Sequence, residues 1–158
     1  MTRFSNRIDR RFAALAERGR KGLIPYVTAG HPKPELTVDI LHALVAGGAD
    51  LVELGIPFSD VMADGPVIQN ACEAALKQGM TLDRVFEQVA EFRRRDADTP
   101  VVLMGYMNPI ERRGLQTFAD QAAGAGVDGL LIVDCPADEA ADTTRIFDDR
   151  ALHQIFLV

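Results

Sequence analysis

With 158 residues the chain has room for one domain. Its 47% hydrophobic and 25% charged residues match an ordinary globular protein, and a formal net charge of −6 argues against nucleic acid or an anionic membrane as the main partner. Cys72 and Cys135 lie too far apart for a disulfide framework or zinc spacing, and with neither a membrane-length apolar run nor a signal-peptide pattern, the expected location is cytoplasmic.

Residues 3–18 read as an amphipathic helix, with Phe4, Ile8, Phe12 and Leu15 at intervals of four and three, suited to plug or cover one end of a sheet. Residues 23–28 read as a strand. Residues 35–46 read as a helix with Leu36, Ile40, Leu41, Leu44 and Val45 at helical spacing, and residues 50–54 as a second strand. A helix over 66–78 opens on Gly65 and Pro66 and stops at Gly79. The next, over 81–94, has Thr81 as its N-cap and Leu82, Val85, Phe86, Val89 and Phe92 on one face. Arg93, Arg94 and Arg95 at its end are expected to complement the helix dipole in solvent. A third strand over 101–104, a helix over 113–123, a fourth strand over 129–133, a helix over 138–148 and a fifth strand over 154–158 complete the series.

Strand and helix alternate, and the strands are nearly continuous in apolar residues. That pattern calls for a parallel sheet with helices packed outside it. Two architectures fit: an open doubly wound sheet, or part of an eight-stranded barrel. The turn after the first strand, Thr28-Ala-Gly-His-Pro32, lacks the G-x-G-x-x-G of a nucleotide-binding sheet, which favours the barrel. A barrel needs about 250 residues. The expectation is therefore an α/β fold of the (β/α)8 TIM-barrel type, a single incomplete domain over 1–158. It has five parallel strands and an N-terminal helix, and lacks about three C-terminal βα units.

Barrel chemistry sits where strands end and βα loops begin. Thr28, Glu53, Ser59, Asp60, Asp64, Tyr106, Asn108 and Asp134 gather at those places. Glu53 is the conspicuous one, a carboxylate among apolar Leu51, Val52 and Leu54. Burying it costs several kcal/mol unless it is paired, protonated or used. Asp64 follows in a loop that leads into a helix. Two acids at one strand end are raw material for proton transfer. Taken singly, Glu53 also suits a structural ion pair, Asp64 a helix-entry residue, Asp60 an Asx turn, Tyr106 a core cap and Asn108 with Pro109 a turn. His31, His42 and His153 have no metal-ligand spacing, and Lys21, Lys33 and Lys77 are not at strand ends, which argues against Schiff-base chemistry.

The segment Glu53-Leu-Gly-Ile-Pro-Phe-Ser-Asp-Val-Met-Ala-Asp-Gly-Pro-Val-Ile-Gln69 closely resembles the signature of the tryptophan synthase alpha chain family. Ile24-Pro-Tyr-Val-Thr-Ala-Gly-His-Pro32, Leu103-Met-Gly-Tyr-Met-Asn-Pro-Ile110 and Gly126-Val-Asp-Gly-Leu-Leu-Ile-Val-Asp-Cys-Pro136 resemble its first, third and fourth strand ends, in the right order. The resemblance implies an eight-stranded α/β barrel and a lyase that splits indole-3-glycerol phosphate into indole and glyceraldehyde 3-phosphate. It implies Glu53 as catalytic acid–base with Asp64 as its partner, and Tyr26, Met104 and Tyr106 as lining of the substrate pocket. Pro57, Asp60, Asn108 and Pro136 match the family's interface with a beta chain in an alpha2-beta2 tetramer. No metal or cofactor is implied in this chain; pyridoxal phosphate belongs to the beta chain. Val61 stands where the family usually has proline, which should loosen the signature loop. His31 replaces an aspartate, and Cys135 and Ala137 replace bulkier aliphatics or proline. The family's phosphate site lies on loops after later strands, so weak or absent substrate binding is expected if the protein ends at Val158. The alternative is a catalytically inactive piece that touches or modulates the beta chain.

Overall fold

The computed structural model describes residues 6–157. Five strands run parallel in strictly sequential order: β1 (Tyr26–Thr28), β2 (Val52–Gly55), β3 (Val101–Gly105), β4 (Gly129–Ile132) and β5 (His153–Ile155). Doubly wound sheets reverse their strand order partway across. This sheet does not, and it is an arc of a (β/α) barrel.

Alternation along the strands sorts the two faces. Val52, Leu54, Val101, Leu103, Leu130 and Ile132 point outward into the main core. There they meet α2 (Thr37–Ala46), α3 (Pro66–Lys77), α4 (Leu82–Arg93), α6 (Leu115–Ala125) and α7 (Ala141–Asp148) through Leu41, Ala75, Phe92, Phe118 and Phe147. Leu51, Val102 and Leu131 point inward and form a second cluster with Ile8 of α1 (Arg7–Glu17). The N-terminal helix thus covers one end of the inner face through Ile8, with Leu15 also buried, while Phe12 of the expected apolar stripe is 44% exposed. The helix begins at Arg7 because Asn6 caps it: the Asn6 side chain accepts from Ile8 N at 2.8 Å, and Asp9 accepts from Asn6 N at 2.9 Å. Residues 3–5 of the expected helix, Phe4 among them, and Val158 of the expected last strand lie outside the described residues.

Five elements differ from expectation, among them the fifth strand, which ends at Ile155 instead of running on through Phe156 and Leu157. The first strand is shorter than 23–28 because Pro25 has no N–H, although the carbonyls of Leu23 and Pro25 still accept from Asp50 and Glu53 at 2.9 Å. The helices read over 35–46 and 138–148 begin with 3-10 turns at Pro34–Leu36 and Ala137–Glu139. A helix that was not anticipated, α5 (Met107–Arg113), follows β3. Pro109 sits in its first turn, where its missing N–H costs nothing, and Asp134 accepts from Met107 N at 2.7 Å. Gly114, at φ +93°, breaks the chain between α5 and α6.

Arg93 is the clearest correction. It does not lie in solvent. Its guanidinium donates to Gly126 O at 2.8 Å and Thr99 O at 2.6 Å, and meets Asp128 at 2.7 Å. Asp128 in turn accepts from Val101 N at 2.9 Å and pairs with Arg7 at 2.9 Å. This network ties α1, α4, β3 and β4 together at the N-terminal ends of the strands, leaving the opposite ends for a site. Arg94 is exposed beside Glu91, as expected of a surface cation.

Candidate active site

Because Val52 and Leu54 face the helices, Glu53 between them faces inward. Its register partner on β1 is Tyr26, and on β3 Val102. One step further toward the strand ends, Thr28, Gly55 and Met104 form the next row. The Glu53 carboxyl is half-buried and has no hydrogen-bond partner among the described residues; burial raises its pKa above the usual glutamate value. Gly55 leaves the space that the Tyr26 ring occupies, since a Cβ there would lie 2.1 Å from the Tyr26 hydroxyl oxygen. That hydroxyl lies 3.1 Å from Thr28 Oγ1. Burial, opposed by the Thr28 hydrogen bond and reinforced by Cys72, Asp64 and Glu53, pushes the Tyr26 pKa up to about 12. Tyr26 therefore lies within electrostatic reach of both candidate carboxylates.

Asp64 arrives on the loop after β2. The loop starts as a continuation of the strand, with Ile56 N donating to Met104 O at 2.8 Å. It then folds over an apolar cluster of Val61, Cys72 and Tyr106, flanked by Phe58, Ile68 and Val133. The Tyr106 hydroxyl donates to Asp64 Oδ2 at 2.8 Å and accepts from Ala63 N at 3.0 Å. Burial, reinforced by that bond to Asp64, pushes the Tyr106 pKa up to about 12. Burial also raises the Cys72 thiol, with the Phe58 backbone opposing and Asp64 adding to the rise. Gly65 and Pro66 then start α3, as the sequence indicated.

Met104 faces inward, half-buried against the Ile8, Leu51, Val102 and Leu131 cluster. Tyr26, Glu53, Met104, Tyr106 and Asp64 thus occupy the inner face and its upper rim. The other four candidates lie elsewhere. Buried Pro57 and exposed Asn108 line a groove of about 610 Å³ with Arg112 and Arg113. Asp60, which accepts from Ser59 Oγ at 2.7 Å, lines an adjoining groove of about 510 Å³ that shares Phe58 and Ser59 with the first. Pro136 lies in neither groove; it is exposed and precedes the turn Ala137–Glu139. Gly55 is a site residue that the sequence did not single out, and Val61, singled out as a loosening of the loop, is instead packed in the cluster with Cys72 and Tyr106. The period-two rule pointed at Gly55 as an inward position, but nothing in one sequence marked Val61 as a pin.

Two of the three histidines serve elsewhere, His153 paired with Asp9 at 2.9 Å and the His42 ring 4.8 Å from that of Phe92, while His31 lines a pocket with Tyr26 and Thr28. Among the described residues no group of three or more His, Cys, Asp or Glu is arranged to hold a metal ion, and no helix is long and apolar enough to cross a membrane.

The sequence model of the family described as tryptophan synthase alpha chain matches residues 12–158. The tryptophan synthase alpha chain of Laribacter hongkongensis is 61% identical over 153 residues, covering 97% of this chain and 58% of that protein. That of Marinobacter nauticus is 59% identical, covering 97% of this chain and 57% of that one. The crystal structure of tryptophan synthase subunit alpha from Legionella pneumophila superposes with a TM-score of 0.96 at 50% identity, covering 98% of this chain and 59% of that one. A tryptophan synthase complex from Pyrococcus furiosus gives 0.82 at 45% identity, covering 87% and 56%. The chain thus spans about 58% of the length of the curated relatives it matches.

Proposed function

Since the chain belongs to the tryptophan synthase alpha chain family, we propose that it carries the carboxylate pair of a lyase that cleaves indole-3-glycerol phosphate to indole and glyceraldehyde 3-phosphate. One observation carries the reading: an inward, half-buried Glu53 without a hydrogen-bond partner among the described residues, and an Asp64 whose Oδ1 accepts none among them, both within electrostatic reach of Tyr26.

The reaction breaks the bond between indole C3 and the glycerol chain. A proton must reach C3, and a proton must leave the neighbouring side-chain hydroxyl. The raised pKa lets Glu53 hold a proton nearer neutrality than an ordinary glutamate, so it can deliver to C3 and then take up the hydroxyl proton. Protonation at C3 leaves positive charge on the ring. Asp64 accepts a hydrogen bond from the indole N–H and stabilises that charge. As the hydroxyl loses its proton the carbon–carbon bond breaks, its electron pair returns to the ring, and the aldehyde forms. Tyr26, Met104 and Tyr106 supply the walls of the pocket.

The proposal asks for no cofactor in this chain and assigns pyridoxal phosphate to a beta chain, met through Pro57, Asp60, Asn108 and Pro136 in an alpha2-beta2 tetramer in the cytoplasm. The grooves that hold Pro57, Asn108 and Asp60 favour a second reading, in which the polypeptide docks on the beta chain without turning over substrate. Incubating the purified chain with indole-3-glycerol phosphate, with and without beta chain, separates the two. Indole release that disappears in Glu53→Gln supports the lyase. Altered beta-chain turnover with no indole released at any substrate concentration overturns it in favour of docking alone.

A further inference from the structure

We infer that Tyr106 is the positioning residue for Asp64, an inference that rests on the lyase reading for its catalytic consequence but not for its geometry. Asp64 is held otherwise only through its backbone, its N–H donating to Val61 O at 3.3 Å and its carbonyl accepting from Gln69 Nε2 at 2.8 Å, while Met62 is 88% exposed and Ala63 and Gly65 are exposed. With the backbone bonded but the side chain facing an exposed loop, the carboxylate has its own torsions left to fix. Tyr106, by contrast, stands one residue beyond β3, its side chain buried against Val61 and Cys72 and its ring centroid 5.8 Å from that of Phe58.

The hydroxyl bonds to two consecutive loop residues at once. Ala63 N–H can only donate, so the phenol oxygen must accept there. The single hydroxyl proton is then committed to Asp64 Oδ2. With its pKa raised by burial, the phenol keeps that proton across the neutral range. Oδ2 is thereby fixed, and Oδ1 is the oxygen left to meet a ligand. A phenylalanine here keeps the ring and its packing but loses both bonds.

The test uses Tyr106→Phe. Amide hydrogen exchange at Ala63 should accelerate about tenfold or more, while exchange in β3 and α4 stays unchanged. In the presence of beta chain, indole release should lose about tenfold in kcat with little change in KM, as when an oriented group loses its aim. In an Asp64→Asn background the second substitution should add almost no further loss, because the effect runs through Asp64. Unchanged exchange at Ala63 overturns the inference whether or not the chain is a lyase. Equal losses in the two backgrounds also overturn it, since a general structural role would be additive. If the native chain releases no indole, the lyase reading falls, and the exchange measurement alone decides whether Tyr106 holds the loop.

Discussion

The guanidinium of Arg93 meets the carboxylate of Asp128 at 2.7 Å with side chains only 10% and 2% exposed, so one helix end is bolted to the start of the fourth strand. Breaking a buried pair from one side leaves the other charge stranded. Arg93→Ala should therefore cost about 3–5 kcal/mol of stability, moderated by Arg7 on the other carboxylate oxygen. Urea denaturation checks it; a midpoint within error of the native one refutes it.

Glu53→Gln should lower indole release by at least ~10²-fold, the ordinary share of a general acid–base group. It should also change stability in a pH-dependent way. A carboxyl whose folded pKa is raised contributes stability below its unfolded pKa and loses that contribution as pH rises through the folded value. The glutamine variant should therefore melt higher than the native chain near neutrality, and the gap should close toward the acid range. Melting curves across that range test the sign.

Tyrosine ionisation offers an optical check. The chain has two tyrosines and no tryptophan. Both are pushed up to about 12, from an unfolded value of about 10. Phenolate absorbance in the folded protein should thus lag well behind that in urea as the solution is made alkaline. The sign follows: this stabilisation is intact below about pH 10 and is lost as pH climbs toward the folded value. Coincident titrations would contradict it.

Gly55→Ala should displace the Tyr26 ring, since the new methyl would meet the hydroxyl oxygen at 2.1 Å. Overpacking of this kind costs about 1–3 kcal/mol. The displaced phenol should titrate closer to an ordinary tyrosine, so the same alkaline titration reads out the change.

Glu53 was legible because a charge inside an apolar strand advertises itself, and the strands because alternation and burial leave a one-dimensional trace. Arg93 was not legible. In sequence it looks like its solvent-exposed neighbours Arg94 and Arg95, and its acid partner lies 35 residues away on another βα unit. Asn108-Pro109 read as a turn for the same reason: the carboxylate that accepts from the first N–H of α5 comes from Asp134, 27 residues on. Val61 suggested a slack loop when compared with proline. In the folded chain its side chain is 7% exposed and packs beside Cys72 and Tyr106, a restraint that only the third dimension reveals.

The strictly consecutive order of the strands has a consequence for biogenesis. Each new βα unit finds its hydrogen-bonding edge on the unit made just before it. A polypeptide leaving the ribosome can therefore form each of these pairings, from β1–β2 to β4–β5, between one unit and the next made, from the N-terminus onward.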